Sequence, residues 1–270
     1  MFHTCIVLTL FIILQPVTLF GQDSLSLNQC EEKLTVLYNS ILNENPYNRE
    51  NISRAFYNEF YTMLEEEGSF AHPFSKLENI GKIYSVDKRI RIYTWNIPYA
   101  MDKNFYYGIV QYYSKFHEKY IAVKLNDSLT YFENSRPVDW PGALYYEIIV
   151  TRHAGQKYYT LLGFDLHNVL SNKKRIDVLS FNESDELYVC QKLFQYDGKL
   201  LDNLEFEYNE KVVMSLRYNH EIKMIVFDHL SPGKPSLEHQ YEFYGPDFTY
   251  DGLKFEKGMW VLYKDIDITN

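Results

Sequence analysis

The chain lacks the short motifs that mark most enzyme classes. Its 270 residues contain no G-x-S-x-G elbow, no H-E-x-x-H, no P-loop, no C-x-x-C and no G-x-G-x-x-G. Nucleophilic, zinc-protease and nucleotide chemistry therefore have no positive support, and no cofactor is expected. Paired carboxylates for glycoside hydrolysis stay open, because two such residues can lie far apart in sequence.

Basic charge is also scarce. The net charge is −9 and the pI about 5.4, which argues against nucleic acid as a partner, because phosphate binding needs a basic face. Lys173, Lys174 and Arg175 form the one basic cluster. A solvated start of a strand explains that cluster better than an anion site does.

Cysteine is too rare to form a disulfide framework. The chain has three cysteines, and two of them, Cys30 and Cys190, follow the N-terminal leader. Cys30 lies on an apolar helical stripe and Cys190 lies within a strand pattern. Buried thiols are the favoured interpretation, while a single disulfide remains open in an oxidising compartment.

The first 21 residues contain no Lys, Arg, Asp or Glu. Residues 5–14 form an apolar core that Pro16 interrupts, which predicts a signal peptide over 1–21 with cleavage after Gly21. The alternative is an uncleaved membrane anchor, but the apolar run is shorter than the roughly 20 residues that a span needs. With no second apolar span, we expect an exported protein of the periplasm, cell envelope or extracellular space, with no stable transmembrane span after cleavage.

The region after the leader has helical periodicity. Apolar residues recur at three-and-four spacing from Leu27 to Leu42 and again over 49–66, so two amphipathic helices are predicted. We expect residues 22–80 to form a helical cap on the sheet, with 68–81 as the connection. Residues 22–270 are expected to form one structural unit.

Residues 81–270 show the period of β-strands. About a dozen strands follow one another at spacings near the 8–12 residues typical of sandwiches and barrels. No helical segment separates them, which argues against a parallel α/β sheet. The expected fold class is mainly β with an N-terminal helical hairpin, the strands forming an antiparallel meander that makes a barrel or a sandwich.

Short turns predict how some strands pair. Ala154 and Gly155 join two strands, and Asp197 and Gly198 suit a two-residue hairpin turn between residues 187–196 and 199–208. A similar turn at Asn219 and His220 would join 211–218 to 221–228. In that register Asp228 lies opposite Lys211, which predicts an ordinary cross-strand ion pair.

Seven residues remain as weak ligand-binding candidates, and no metal site is predicted. Asp228 and His229 end the most apolar strand and could hold a general base. Asp165 and His167 flank the loop 166–172. The aromatic candidates, which could stack on a sugar or fill a peptide groove, are Trp140, Tyr244 and Tyr250.

Five segments resemble an uncharacterised family of exported proteins of Bacteroidota. They read LLGFDLHN, KRIDVLSF, MSLRYN, MIVFDHLSP and FYGPDFTYDGLKFEKGMWVLYKDID. The resemblance implies a compartment and a Gram-negative origin, but no activity or site residues. The expected function is a non-enzymatic binding or assembly module of the cell envelope with a protein or glycan ligand. The alternative is a hydrolase that acts on envelope or external glycans with paired carboxylates.

Overall fold

A computed structural model describes residues 26–99, 103–127, 139–140, 142–189 and 191–268. The predicted signal peptide and Cys190 lie outside the described residues, so cleavage and a disulfide to Cys30 stay predictions. None of the described helices is long and apolar enough to cross a membrane.

Helices come first along the described chain and strands follow. The α-helices are α1 (Leu27–Asn43) and α2 (Arg49–Leu64). The strands are β1 (Gly81–Tyr84), β2 (Ile90–Pro98), β3 (Asn104–Ser114), β4 (Lys119–Asp127), β5 (Asp139–Trp140), β6 (Leu144–His153), β7 (Gln156–Asp165), β8 (Ser171–Phe181), β9 (Leu187–Val189), β10 (Phe194–Tyr196), β11 (Lys199–Leu201), β12 (Leu204–Asn209), β13 (Leu216–Asn219), β14 (Met224–Pro232), β15 (Tyr244–Glu256) and β16 (Met259–Tyr263). Short 3-10 helices lie at Pro46–Asn48, Pro235–Leu237 and Tyr241–Phe243.

The helical hairpin begins and turns where local chemistry requires it. Ser26 and Gln29 form a reciprocal capping box at the start of α1, which satisfies two backbone N–H groups that have no partner within the helix. Between the helices, the Arg49 guanidinium donates to the carbonyl oxygens of Leu42 and Glu44, and also to that of Pro98 on the first sheet. One side chain thus fixes both the turn and its place on the sheet.

The strands form three sheets. The first has the order β1-β2-β3-β4-β5, the second β12-β8-β7-β6 with β9 also paired to β8, and the third β11-β10-β16-β15-β14-β13. Neighbours are antiparallel except β4–β5 and β10–β16, which are parallel. The prediction of a mainly β, largely antiparallel fold with an N-terminal helical hairpin is confirmed. None of the three sheets of described strands closes into a barrel, so the sandwich is the alternative that fits.

The elements stack in four layers with three apolar cores between them. Side chains of α1 and α2 pack on one face of the first sheet, where Phe60 contacts Tyr93 and Trp95. The second core fills the space between the first and second sheets, and the third core fills the space between the second and third sheets. Adjacent residues of one strand therefore serve different cores, since Ile92 and Tyr93 point to opposite faces of β2.

Local turns were predicted well and longer pairings less well. His153 pairs with Gln156 and Tyr196 with Lys199, as the two predicted turns require. The hairpin of 187–196 with 199–208 is wrong beyond its first three pairs, because β9 and β12 both pair with β8 instead. Pairing β12 with β8 buries one face of β12 in the third core, and those contacts determine the partner.

The predicted turn at Asn219 and His220 is also wrong. Asn219 pairs with Met224, so four residues form the connection, and Lys223 adopts a positive φ of 54°. The observed register of β13 against β14 differs from the predicted register by an even number of residues, so Met214 and Leu216 still point into the core. The changed register removes the predicted pairing of Asp228 with Lys211.

Candidate functional site

Trp140 is a core residue. Its side chain is 1 % exposed, and its indole Nε1 donates to the Tyr145 hydroxyl at 2.8 Å. The indole ring also lies 3.1 Å from the position that a Cβ on Gly108 would occupy, so it packs tightly on that glycine. The interpretation of Trp140 as an exposed loop aromatic is therefore wrong, and the side chain has no free face for a ligand.

Asp165 and His167 do come together. His167 Nδ1 lies 4.0 Å from Asp165 Oδ2, and its Nε2 lies 3.8 Å from Glu207 Oε1 on β12. Lys173 Nζ lies 3.3 Å from Glu205 and 3.9 Å from Glu207. Each carboxylate of this group lies near Lys173 or His167, which is ordinary for cross-strand ion pairs at the end of a sheet.

Tyr244 and Tyr250 are only half-buried and serve local structure. The Tyr244 hydroxyl accepts a hydrogen bond from the backbone N–H of His239, and its ring lies 5.1 Å from that of Tyr241. The backbone of Tyr250 pairs with Asp228, and its carbonyl accepts from the N–H of Ile266 at 2.8 Å. No described hydrogen bond joins either hydroxyl group to another of the predicted site residues.

Asp228 and His229 are neighbours in sequence with different roles. Asp228 Oδ2 accepts from the backbone N–H of Ser215 at 2.7 Å, and its own N–H donates to the Ser215 carbonyl. Asp228 thus extends the pairing of β13 with β14 through its side chain. It is structural, as expected, although its partner is a backbone amide and not Lys211.

His229 lies at a β-bulge between β14 and β15. Asp228 pairs with Tyr250 and Leu230 with Pro246, so one residue of β14 faces three residues of β15. Such bulges redirect side chains and recur beside binding and active sites. The three bulged residues are Asp247, Phe248 and Thr249.

The bulge places an imidazole between two carboxylates. His229 Nδ1 lies 2.8 Å from Asp251 Oδ2, a hydrogen-bonding distance, while Nε2 lies 4.0 Å from Asp247 Oδ2. Asp251 is 5 % exposed and His229 is 42 % exposed, so the imidazole connects a buried carboxylate to the surface. Asp251 also accepts at Oδ1 from the backbone N–H of Asp265. A carboxylate accepts hydrogen bonds, so Nδ1 of His229 is the donor to Asp251.

Hydrogen bonds to the other carboxylate oxygen, Oδ1, hold the Asp247 side chain in place. Its Oδ1 accepts from the backbone N–H of Thr249 at 3.1 Å and from the Thr249 hydroxyl at 2.8 Å. Partial burial alone would raise the pKa of Asp247, but the Thr249 hydrogen bonds and the nearby His229 outweigh it, so the pKa is lowered. Asp247 therefore stays ionised with Oδ2 directed toward His229.

Phe248 is the most exposed large apolar residue of the described chain. Its side chain is 93 % exposed, and its φ of 71° lies in the left-handed region that residues other than glycine seldom adopt. A phenyl group on such a backbone costs both conformational energy and apolar exposure. Neither cost is repaid by a contact within the described chain.

We call the group of His229, Asp247, Phe248 and Asp251 the bulge site. Further negative charge lies on one side of the bulge site. Burial raises the pKa of Tyr196 to about 12, and the charges of Asp251 and Asp197 add to that shift. Within the described ranges no set of three His, Cys, Asp or Glu side chains is arranged to hold a metal ion. The bulge site thus places an imidazole and two carboxylates next to an exposed aromatic residue.

A second charged group is built on Arg175 and Asp177, which are both buried. Arg175 Nη2 lies 3.3 Å from Asp177 Oδ1, the Tyr145 hydroxyl donates to Asp177 Oδ2 at 2.7 Å, and Arg175 also pairs with Glu205. Burial alone would lower the pKa of Arg175, but Asp177 outweighs burial and raises it. Because Asp177 has no exposed surface, we interpret this group as one that stabilises the fold.

The sequence alone predicts little of the bulge site. The apolar strand that ends at His229 makes that residue a candidate, but Asp247, Phe248 and Asp251 are not among the residues predicted from the sequence. Their partnership depends on two extra residues in β15, and no local pattern predicts where a bulge of that size falls. No protein-family model, no curated protein and no solved structure matches this chain.

Proposed function

We propose that the protein is an exported, non-enzymatic binding module of the cell envelope that holds its ligand at the bulge site. The observation that carries the proposal is Phe248, which is 93 % exposed at a positive φ. A partner that covers the ring would bury apolar area that the described contacts leave exposed. The uncharged apolar leader and the resemblance to exported proteins support the assignment to the envelope.

The geometry favours binding over glycan hydrolysis. Asp247 and Asp251 lie on either side of the His229 ring. The imidazole therefore fills the space in which the scissile bond would have to lie between paired carboxylates. Among the described residues, Glu205 and Glu207 are another close pair of carboxylates, and both are paired with Lys173.

Site-specific photocrosslinking in the native host tests the binding role. The photoreactive residue p-benzoylphenylalanine would replace Phe248 in one strain and Val36, a 71 % exposed residue of α1, in a control strain. We expect a discrete crosslinked product from position 248 and none from position 36. Identical products, or none at either position, would contradict the proposal, as would turnover of an envelope glycan that is lost on Asp247→Asn.

The export proposal has a separate test. Mass spectrometry of the protein from its native host should find an N-terminus at or near Gln22. An N-terminus at Met1 would contradict export by a cleaved signal.

A further inference from the structure

We propose that a cavity between α1 and the segment 76–80 binds a single six-membered sugar ring. The cavity has a volume of about 260 Å³, just below the roughly 300–1,000 Å³ of pockets that hold drug-sized ligands, so it suits a smaller molecule. It lies beside the first helix, whereas the bulge site lies between β14 and β15 of the third sheet. The inference therefore goes beyond the proposed function and does not depend on the bulge site.

The floor of the cavity is apolar. It is lined by Tyr38 of α1, Leu77 and Ile80, which are all almost fully buried. The Tyr38 ring is oriented by an edge-on contact with Phe56, with 5.3 Å between the ring centroids. One face of a sugar ring consists of C–H groups, and such a face packs favourably on aromatic and aliphatic side chains.

The Tyr38 hydroxyl group gives the strongest indication of a ligand. Tyr38 is 6 % exposed, and within the described part of the chain no hydrogen bond joins its hydroxyl to another group. Burial raises the pKa of Tyr38 to about 12, and no hydrogen bond contributes to that shift. Buried hydroxyl groups ordinarily have a partner. This residue instead lines a cavity, so a ligand in that cavity would supply the partner.

Polar side chains surround the opening of the cavity. Asn39 follows Tyr38 on α1, and Glu78 and Asn79 lie on the segment that forms the other wall. All three are exposed, and none of their side chains makes a hydrogen bond to another described residue. The rim therefore offers two amide groups and one carboxylate to a ligand.

Hydrogen bonds fix the walls of the cavity before a ligand binds. Glu31 of α1 is 2 % exposed and accepts from the backbone N–H of Lys76 at 2.6 Å, which ties the segment to the helix. Lys82 Nζ donates to the carbonyl oxygens of Phe74 and Leu77 at 2.9 Å and 2.6 Å. A site that is already shaped loses little conformational entropy on binding.

The residue types of the rim select the class of ligand. An anion would meet the Glu78 carboxylate, while Lys76 Nζ is already paired with Glu32 at 2.6 Å. A cation would satisfy Glu78 but would leave the amide N–H groups and the Tyr38 hydroxyl proton without acceptors. Each hydroxyl group of a sugar both donates and accepts. One neutral ring can therefore satisfy the carboxylate, the amides and the Tyr38 hydroxyl together.

Titration of sugars into the isotope-labelled protein tests the inference. The probes are the methyl glycosides of glucose, galactose, mannose and N-acetylglucosamine, followed by NMR at the Tyr38 ring and at the Asn39 and Asn79 side-chain amides. We expect saturable shifts with at least one probe and a dissociation constant on the order of 1 mM. Tetrahydropyran-2-methanol keeps the ring but has a single hydroxyl group, so it should bind at least about tenfold more weakly.

The disaccharide that ends in the same sugar distinguishes two sources of the ring. Affinity equal to that of the methyl glycoside, or higher, supports the end of a longer glycan as the ligand. Lower affinity supports a free sugar, and the ring is the bound group in both cases.

Two variants and a control locate the binding. Tyr38→Phe removes a hydroxyl group that has no partner among the described residues, so the variant should keep its free energy of unfolding but bind the sugar roughly two- to tenfold more weakly. Asn79→Ala should weaken binding by a similar factor. Tyr188→Phe removes the hydroxyl group of an exposed tyrosine on β9 of the second sheet, and this matched control should leave binding unchanged.

The absence of saturable shifts with all of these glycosides would overturn the inference. Equal affinity for tetrahydropyran-2-methanol, or unchanged affinity in the Tyr38→Phe variant, would overturn it as well. The crosslink at position 248 reports on the bulge site alone, so each of these results leaves the proposed function standing. Loss of that crosslink would likewise leave the sugar site standing.

Discussion

At the scale of single residues, several polar side chains fix one layer of the molecule to the next. Asp87 lies between β1 and β2 of the first sheet, and its Oδ1 accepts from the Ser85 hydroxyl and the Arg89 backbone N–H. Its Oδ2 accepts from Lys157 Nζ and the Tyr159 hydroxyl of β7 in the second sheet. Burial alone would raise the pKa of Asp87, but these hydrogen bonds and the Lys157 charge lower it to about 2.

Asp87→Asn should therefore lower the free energy of unfolding by about 1–2 kcal/mol at pH 7. A lowered carboxylate pKa stabilises the folded state above the unfolded value of 3.8, and the contribution is lost as the pH falls through about 2. Urea unfolding of the original chain and of the Asp87→Asn variant, at pH 7 and near pH 2.5, measures the difference in their free energies of unfolding. The difference in stability should shrink at low pH, and a difference independent of pH would contradict the argument.

Asp177 offers a larger effect because it is buried. Asp177→Asn should destabilise the protein by roughly 3 kcal/mol, since the buried Arg175 charge would keep only the partly exposed Glu205 as a carboxylate partner. The double variant Arg175→Met with Asp177→Asn removes both charges, keeps an acceptor for the Tyr145 hydroxyl and should cost less than the single change. Thermal unfolding compares the two variants, and a double variant that is the less stable of the two would contradict the loss of the buried partner of Arg175 as the cause.

At the scale of elements, side chains protect one exposed strand edge. β13 is the last strand of the third sheet, and its backbone is met by β6 of the second sheet. The Tyr146 hydroxyl donates to the Leu216 carbonyl at 2.8 Å, and Glu147 Oε2 accepts from the Tyr218 N–H at 3.2 Å. An edge that would otherwise be free to pair with another chain is thereby satisfied.

Glu147→Ala should release that edge. We expect the free energy of unfolding to fall by about 1 kcal/mol, because one hydrogen bond to a charged acceptor is lost. Amide exchange at Tyr218 should accelerate more than exchange at Phe227, which is paired within the sheet. Glu183→Ala, at an exposed turn position, serves as the control. Unchanged exchange at Tyr218 would show that the contact does not protect the edge.

The helices and strands also show which parts of the fold and of the bulge site could be predicted from the sequence. Helix periodicity and the two-residue turns at Gly155 and Gly198 depend on local chemistry, and the structure contains them. The partner of β12 and the bulge opposite His229 depend on contacts between residues distant in sequence. A single chain shows which residues favour a strand, but contacts across the sheets choose the neighbour and the bulge. The bulge site was therefore predicted only at His229.

At the scale of the whole molecule, the four layers share their sheets. The first sheet contributes one face to the core beneath the helices and the other face to the core above the second sheet. The helical hairpin was predicted as a cap, and its packing shows how much it covers. Tyr93 and Trp95 have no exposed surface and Tyr107 is 3 % exposed, and all three pack against α2 or one another.

Removing the hairpin should therefore unfold more than the hairpin. A chain of residues 81–270 would expose the aromatic face of the first sheet to water, at a cost of about 1.5–3 kcal/mol for each large side chain. The buried Arg91 would also lose the carbonyl oxygens of Phe70, His72 and Pro73, which hold its guanidinium. We expect that chain to aggregate or to lack cooperative unfolding, and we expect 22–270 to stay soluble and to unfold cooperatively. Light scattering and calorimetry compare the two, and a soluble, cooperatively folded 81–270 would show that the hairpin is an accessory and that the β layers fold without it.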